Sequence, residues 1–327
     1  MKFRHAGVAS TAAIIMLAAG CSSGSGSNNA RLNVEKTNVV VDAFPAIDSA
    51  GLYIAQMDGL FADQGLHVTI EPIQATQTTQ TEINGQVNGS YDITAGDYVT
   101  YINNELAGTA KLRIVAEASF LQPNVLALLV RGGSPIETIS QLKNKIISVN
   151  APDDIGTLLV DSLLVEHGIS PGQVRFNNGV AFPAVAQNLD TNAINAAFAP
   201  EPFASLDEES AGLEELADLD QGSTQDFPIE GYAVTQAWAA KYPNTLEAFT
   251  RALAQGQQIA DTDRAAVELA VEKYLQIPPA TAAFLSLPSF PTGVDAVRLQ
   301  RVVSAMLRFG LLPGKDASFK IQSMTGG

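Results

Sequence analysis

The sequence predicts an α/β fold in two lobes, and three observations carry that expectation. At 327 residues the chain is too long for a comfortable single core and suits two domains. Residues 39–73 read as strand, helix, strand. The same alternation continues to about residue 235, after which the pattern turns helical. Alternating strands and helices imply mainly parallel sheets flanked by helices.

The opening unit is VVVDAFPAIDSAGLYIAQMDGLFADQGLHVTIEPI. Residues 39–44 form an apolar, β-branched run of the kind found in a buried strand. Pro45 ends it, and Asp48 is placed to cap the helix that follows. Leu52, Ala55, Leu60 and Phe61 give that helix an apolar stripe, with Gly59 a weak point near its end. Gly65 suits the left-handed residue that lets the chain reverse. Leu66, Val68 and Ile70 then alternate as a second strand. The loop at 43–49 opens at the carboxyl end of the first strand, where open α/β sheets bind ligands.

The amino terminus is a separate element. Lys2, Arg4 and His5 precede an apolar run at 6–19, too short and wrongly flanked for a stable membrane span, so it reads as a signal peptide. Leu17-Ala18-Ala19-Gly20-Cys21 resembles a bacterial lipobox, with Ala18 where leucine is more usual. That resemblance implies lipidation of Cys21, the only cysteine. Each buried methylene of an acyl chain contributes roughly 0.8 kcal/mol to membrane attachment. The following SSGSGSNNA has no means of packing and reads as a flexible linker.

Net charge is −15, and −17 once the first twenty residues are removed, with 17 basic against 34 acidic residues. Such a surface repels nucleic acid, which we exclude as a partner. A single cysteine excludes an internal disulfide and a thiolate metal cluster. No phosphate-binding G-x-x-x-x-G-K-[ST] and no G-x-S-x-G elbow is present. His67 falls in or just before the second strand and His167 at a helix carboxyl end, both read as structural positions. The acidic run at 206–220 lacks the ligand spacing of a calcium loop and reads as a solvated face.

Several segments carry a family resemblance. GLYIAQMDGLFADQGLHVTIEP looks like the opening of the solute-binding proteins of ABC importers, in the subgroup serving nitrate, sulfonates, taurine and thiamine-precursor pyrimidines. YDITAGD at 91–97 resembles that family's short strand ending at a pocket loop, with Gly85, Asp92, Ile93 and Gly96 matching. SQLKNKIISVN at 140–150 is similar to another family run. There Asn144 replaces a glycine, and asparagine also tolerates a left-handed backbone. AAFAPEP at 196–202 resembles a third, with Ala199 and Pro200 where aromatics are frequent. The resemblance spans most of 39–310. It implies the two-lobe periplasmic-binding-protein fold, type 2, with a ligand cleft between the lobes.

The organisation expected is therefore a lipoprotein signal peptide at 1–20, a flexible linker at 21–37, a first lobe from 38–130 plus 228–327, and a second lobe at 131–227. The two crossings fall near Arg131 and Phe227. Helices expected at 243–261, 263–275 and 294–309 pack on the first lobe. In the last of them Val294, Val297, Val302, Met306 and Phe309 recur at helical spacing.

One feature of the charge pattern bears on the ligand. No lysine or arginine occurs between Lys36 and Lys111, or between Arg175 and Lys241. Those windows hold most of the loops expected at the cleft. Helix amino termini are ready anion sites, yet the helix after Asn150 begins with Asp153 and Asp154. Two like charges 4 Å apart at an effective dielectric near 20 cost roughly 4 kcal/mol, so carboxylates there oppose a bound sulfonate or nitrate. Asp48, Asp97, Glu201 and Glu230 also fall on expected pocket loops. The ligand expected is neutral or cationic, closer to an aminopyrimidine than to a sulfonate. Carboxylates would accept its amino hydrogens, and Phe44, Tyr98, Phe120 and Tyr232 are candidates to stack on its ring. For each aromatic a place in the core is the competing assignment. For each acid it is a cap or plain exposure.

Loop position and resemblance together nominate Phe44, Asp48, Gln77, Gly96, Asp97, Tyr98, Asn150, Asp153, Thr157, Glu201 and Tyr232 as cleft residues. The function expected is a monomeric, lipid-anchored extracytoplasmic receptor that hands a small solute to an ABC permease, with no catalysis, cofactor or metal. Two alternatives stand beside it. One is an enzyme of pyrimidine biosynthesis on the same fold, disfavoured because that chemistry needs cysteines for iron. The other is a solute sensor without transport.

Overall fold

Two five-stranded sheets organise the chain in the computed structural model, which describes residues 33–72, 78–312 and 318–326. The expected signal peptide, Cys21, most of the expected linker and Gln77 lie outside the described residues. Among the described residues, no helix is long and apolar enough to cross a membrane.

The first sheet begins with β1 (Asn38–Ala43), whose alternate residues Val39, Val41 and Ala43 are buried in one cluster. The chain then turns through a short 3-10 turn into α1 (Ala50–Met57) and α2 (Leu60–Asp63). Gly59 separates the two helices with φ +72°, a left-handed conformation that breaks the single helix expected there. β2 (His67–Pro72) pairs parallel to β1. After α3 (Thr79–Asn88), β3 (Ile93–Asp97) pairs parallel to β1 on its other side, and α4 (Tyr98–Ala107) leads to β4 (Leu112–Phe120).

The second sheet is built from β5 (Leu126–Arg131), β6 (Ile146–Val149), β7 (Arg175–Asn178), β8 (Ala196–Pro200) and β9 (Leu213–Asp218). Its helices are α5 (Ile155–Glu166), α6 (Val185–Asp190) and α7 (Phe203–Ala211). Asn144 takes φ +61°, the left-handed conformation expected of it. β10 (Pro228–Thr235) returns to the first sheet between β3 and β4. Then come α8 (Gln236–Lys241), α9 (Pro243–Thr262), α10 (Arg264–Leu275), α11 (Pro279–Ala282), α12 (Ala296–Phe309) and α13 (Gln322–Thr325).

Each sheet is mixed rather than mainly parallel. β2-β1-β3 and β7-β6-β8 are parallel, as strand–helix–strand connections require. β10 and β4 in one sheet, and β5 and β9 in the other, run antiparallel. The cause is that β5 and β10 are the strands that carry the chain between sheets. β5 is hydrogen-bonded wholly into the second sheet, so the first crossing falls at 121–125, earlier than the expected position near Arg131. The two crossing segments run side by side, the Leu121 amide donating to the Phe227 carbonyl at 2.8 Å.

Three further expectations are corrected. Asp48 does not cap α1. It lies within the 3-10 turn, and its carboxylate accepts from the Ser119 hydroxyl instead. The linker does not extend to residue 37. Glu35 accepts from the Asn244 and Thr245 amides at 3.1 and 2.9 Å at the start of α9, and the Lys36 ammonium pairs with Asp92 at 2.5 Å, so these residues belong to the body. In α12 the buried stripe is Leu299, Val302, Val303 and Met306, while Val297 is 78% exposed. α12 contacts α5 as well as α4 and β10, bridging the two halves rather than packing on one.

α9 lies against α1 at close range. A β-carbon on Gly256 would stand 2.2 Å from the Gly51 carbonyl oxygen, so only glycine permits this approach. The helix pair braces the loop after β1 from behind.

Candidate functional site

The parallel strands β1, β3, β6 and β8 all end at one cleft between the sheets. Its enclosed volume is about 50 Å³. Each strand delivers a residue there: Phe44 after β1, Asp97 closing β3, Asn150 after β6, and Pro200 closing β8.

Carboxyl side chains dominate the polar lining. Asp48, Glu82, Asp97 and Glu230 come from elements around the first sheet, and Asp154 from the second. Among the described residues, no lysine, arginine or histidine shares that lining. Asp97 caps α4, accepting from the Thr100 amide at 2.9 Å. Asp154 caps α5 in the same way, accepting from the Thr157 amide at 2.9 Å. The α4 and α5 termini at the cleft are thus already occupied by an aspartate of the chain, whereas the start of α3 at Thr78 and Thr79, also in the lining, carries no side-chain cap.

Burial raises every one of these carboxyls above the usual carboxylate range. Asp154 is pushed up to about 8, first by burial and then by the neighbouring Asp97 charge. Burial is also the largest cause for Asp48 and Asp97, with hydrogen bonds to Ser119 and Thr100 opposing it. Glu230 is raised by burial and then by Asp48 and Asp97, and Glu82 by burial and then by Asp42, Glu230 and Asp97. Glu82 is 2% exposed, and its Oε2 has no hydrogen-bond partner.

The other wall is apolar. Phe44, Phe182 and Phe198 line it with Leu126, Ile155 and Ile229. Phe44 meets Phe182 edge-on at 5.7 Å between ring centroids, and Phe182 stacks on Phe203 at 5.2 Å. Such offset and edge-to-face pairs hold the rings in fixed orientations.

The nominated residues divide into three groups. Phe44, Asp48, Asp97 and Asn150 line the cleft. Asp153 is exposed at its mouth, with φ +53° and its carbonyl accepting from Asn103 at 3.2 Å; the buried member of that acidic pair is Asp154. The remaining five stand behind the lining. Gly96 lets α3 approach, since a β-carbon there would lie 2.5 Å from Thr79 Cγ2 and 3.1 Å from Glu82 Oε2. Thr157 holds Asp154 and donates its hydroxyl to the Ala151 carbonyl. Glu201 accepts from Ser205 and from the Ser286 amide. Tyr98 and Tyr232 are fully buried in the core and cannot stack on a ligand. Phe120 does not line the cleft either, its ring being covered by the Arg298 guanidinium at 4.9 Å.

Sequence reasoning missed Glu82, Phe182 and Phe198. Glu82 reads as one polar residue of a weakly amphipathic helix. Its signal would have been its position in the first turn of the helix after the second strand. Asp92, carried by the family-like run, is an anchor: it holds Lys36, the Val40 amide and the Trp238 indole.

Residues 46–264 match the family model described as NMT1/THI5 like, which covers more than half of the chain and the cleft lining from Ala46 to Glu230. The chain belongs to the NMT1/THI5-like family. No curated protein matches the sequence. Among solved structures, it is similar to the alkanesulfonate-binding protein SsuA from Xanthomonas axonopodis pv. citri bound to MOPS, at 16% identity and TM-score 0.71, over 86% of this chain and 96% of that one. It is similar to the periplasmic nitrate-binding protein NrtA from Synechocystis PCC 6803, at 16% identity and TM-score 0.70, over 86% and 84%. It is also similar to a desulfurization enzyme, DszB, at 16% identity and TM-score 0.63, over 85% and 93%. At these identities the likeness is one of fold. That fold is the periplasmic binding protein fold, two mixed sheets flanked by helices.

Proposed function

We propose that this member of the family is the solute-binding component of an ABC importer, tethered on the extracytoplasmic face through a lipid on Cys21. It captures a small nitrogen-bearing organic solute, an aminopyrimidine in preference to a sulfonate, and presents it to a membrane permease. The carrying observation is the cleft lining: five carboxyl side chains and Asn150 as acceptors, an aromatic wall, and no cation among the described residues. Such a lining hydrogen-bonds ring nitrogens and amino groups and offers no side-chain cation to a sulfonate.

Binding without covalent chemistry is supported by the same lining. Among the described residues, no histidine, cysteine or lysine enters it. His67 is exposed in β2, and His167 closes α5 with Nδ1 2.9 Å from the Leu163 carbonyl. The first lobe would be built on the first sheet and the second on β5–β9, with the paired crossing segments as hinge. A monomer suffices for this role.

Calorimetric titration of the purified mature chain with taurine, an alkanesulfonate and a 4-aminopyrimidine tests the reading. Binding of the pyrimidine alone supports it; tight alkanesulfonate binding overturns the ligand preference. Native mass spectrometry that finds no solute retained or bound of any kind overturns the receptor role. For the anchor, Cys21→Ser should move the protein from the membrane to the soluble fraction, and unchanged retention would refute it.

A further inference from the structure

We infer that the solute is held in this cleft as an organic cation carrying an apolar body, an aminopyrimidine being bound in its ring-protonated form. The inference rests on the reading of the cleft as a solute site and specifies the charge of what it takes.

Two buried acids elsewhere in the chain have a basic partner, whereas Asp42 and Asp161, also buried and outside the cleft lining, leave carboxyl oxygens unpartnered as the cleft does. Glu117, fully buried, pairs with the Arg298 guanidinium at 2.8 Å, and Asp92 pairs with Lys36. The cleft acids differ from Glu117 and Asp92. Asp97 and Asp154 have amide donors, Asp48 has the Ser119 hydroxyl, and Glu82 leaves a carboxyl oxygen without any partner while 2% exposed. Asn150, beside them, also leaves its Oδ1 unpartnered. A buried carboxyl without a counter-charge is unfavourable, and its free acceptor calls for a donor. Five carboxyls without a basic partner at one cleft, with the free Glu82 Oε2 and Asn150 Oδ1 among them, suit a ligand that brings positive charge and N–H donors.

A bare metal ion does not meet that specification. Among the described residues, no three His, Cys, Asp or Glu side chains converge to hold one. The acids are spread along the cleft rather than gathered at a point, which suits an extended group. The opposing wall of Phe44, Phe182 and Phe198 then accounts for the other end of the ligand. Aromatic faces take both hydrocarbon and the edges of a cationic group. An ammonium, amidinium or guanidinium head toward the acids and a flat or aliphatic body on the phenylalanines fills both demands.

The test compares matched compounds that differ in charge. Benzamidine is set against benzamide and benzoate, putrescine against its diacetyl derivative, and choline and agmatine widen the range of cations. Thermal shift of the mature chain is read first and calorimetry second. The expected result is binding confined to cationic members. Glu82→Gln and Asp154→Asn should each weaken it at least tenfold while circular dichroism stays that of the folded protein. Equal binding within a pair, preference for the neutral or anionic member, or silence across all the cations overturns the inference. Should neither variant fold, the matched pairs in the unmodified chain still decide. A tightly bound neutral or anionic solute would remove this inference and leave the receptor reading standing.

Discussion

Asp97 and Asp154 are counterparts across the cleft. Each follows a parallel strand of its own sheet, each caps the helix that follows, and each accepts an amide three residues on at 2.9 Å. They come close enough for the charge of Asp97 to raise Asp154 further. Each helix end is thus capped from within by an aspartate that also lines the cleft.

Stability without solute should therefore fall as pH rises. Asp154 is raised from 3.8 to about 8, and Asp42 and Asp161 to about 7, chiefly by burial. A carboxyl raised in the folded state contributes most below its unfolded value, and the contribution is lost as pH climbs through the folded one. Melting temperature measured from pH 5 to pH 9 should decline, most steeply below about pH 6.5, and level off above about pH 8. A rise across that range would show these carboxyls ionised and paired.

Removing one charge should reverse part of that loss. Asparagine caps a helix about as well as aspartate, so Asp154→Asn keeps the cap and deletes the charge. At pH 8 the variant should gain at least about 1.4 kcal/mol, the equivalent of one pKa unit. At pH 3, where Asp154 carries its proton in the folded and the unfolded chain alike, the gain should vanish. Urea denaturation at the two pH values checks this, and equal effects at both would mean the charge is not what is unfavourable.

Much of the fold was legible from sequence because it rests on local signals. The run at 39–44, the glycines at 59 and 65, and the acids at 97 and 154 act within a few residues of where they stand. The mixed sheets were not legible, since they depend on where β5 and β10 insert among strands distant in sequence. At the cleft, loop position nominated Phe44, Asp48, Asp97 and Asn150, which all stand in the lining just after or at strand ends. It could not separate Asp153 from Asp154, because one residue of backbone rotation decides which is buried. Tyr98 and Tyr232 look like ligand aromatics on paper but face inward, and only the packing of Tyr98 against Gly231 shows it.

Gly96→Ala should damage the site indirectly. The new β-carbon would meet Thr79 and Glu82 and push the start of α3 away from β3. Overpacking of this kind costs about 1–3 kcal/mol. Solute affinity should fall with stability, since Thr78, Thr79 and Glu82 all line the cleft. Paired denaturation and titration would check it. A full loss of binding with unchanged stability would point to a direct contact instead.

The Glu117–Arg298 pair should behave as a structural bridge. Glu117 is fully buried, and its Oε1 also accepts from the Asp295 amide at 2.6 Å. Arg298→Met leaves that carboxylate without its cation, which costs about 3–5 kcal/mol. Exchanging Glu117→Gln in the same chain should recover part of the loss, measured by chemical denaturation. No recovery would assign the effect to the stacking of Arg298 on Phe120.

Glu201 should govern how firmly the cleft closes. It follows β8 in the second sheet, yet its Oε1 accepts at 3.0 Å from the amide of Ser286, in the segment between α11 and α12. Its carbonyl also accepts from the Ile47 amide beside β1, so one residue ties the second sheet to two segments of the other half. A hydrogen bond to a charged group contributes about 1.5–3 kcal/mol. Losing it shifts the equilibrium between closed and open forms by that amount, since nothing in the open form replaces it. Glu201→Ala should enlarge the radius of gyration seen by small-angle scattering and weaken solute binding about tenfold or more. Glu201→Gln, which can still accept from the Ser286 amide, should lie between. If Glu201→Ala leaves both the scattering profile and the affinity unchanged, the contact does not hold the halves together.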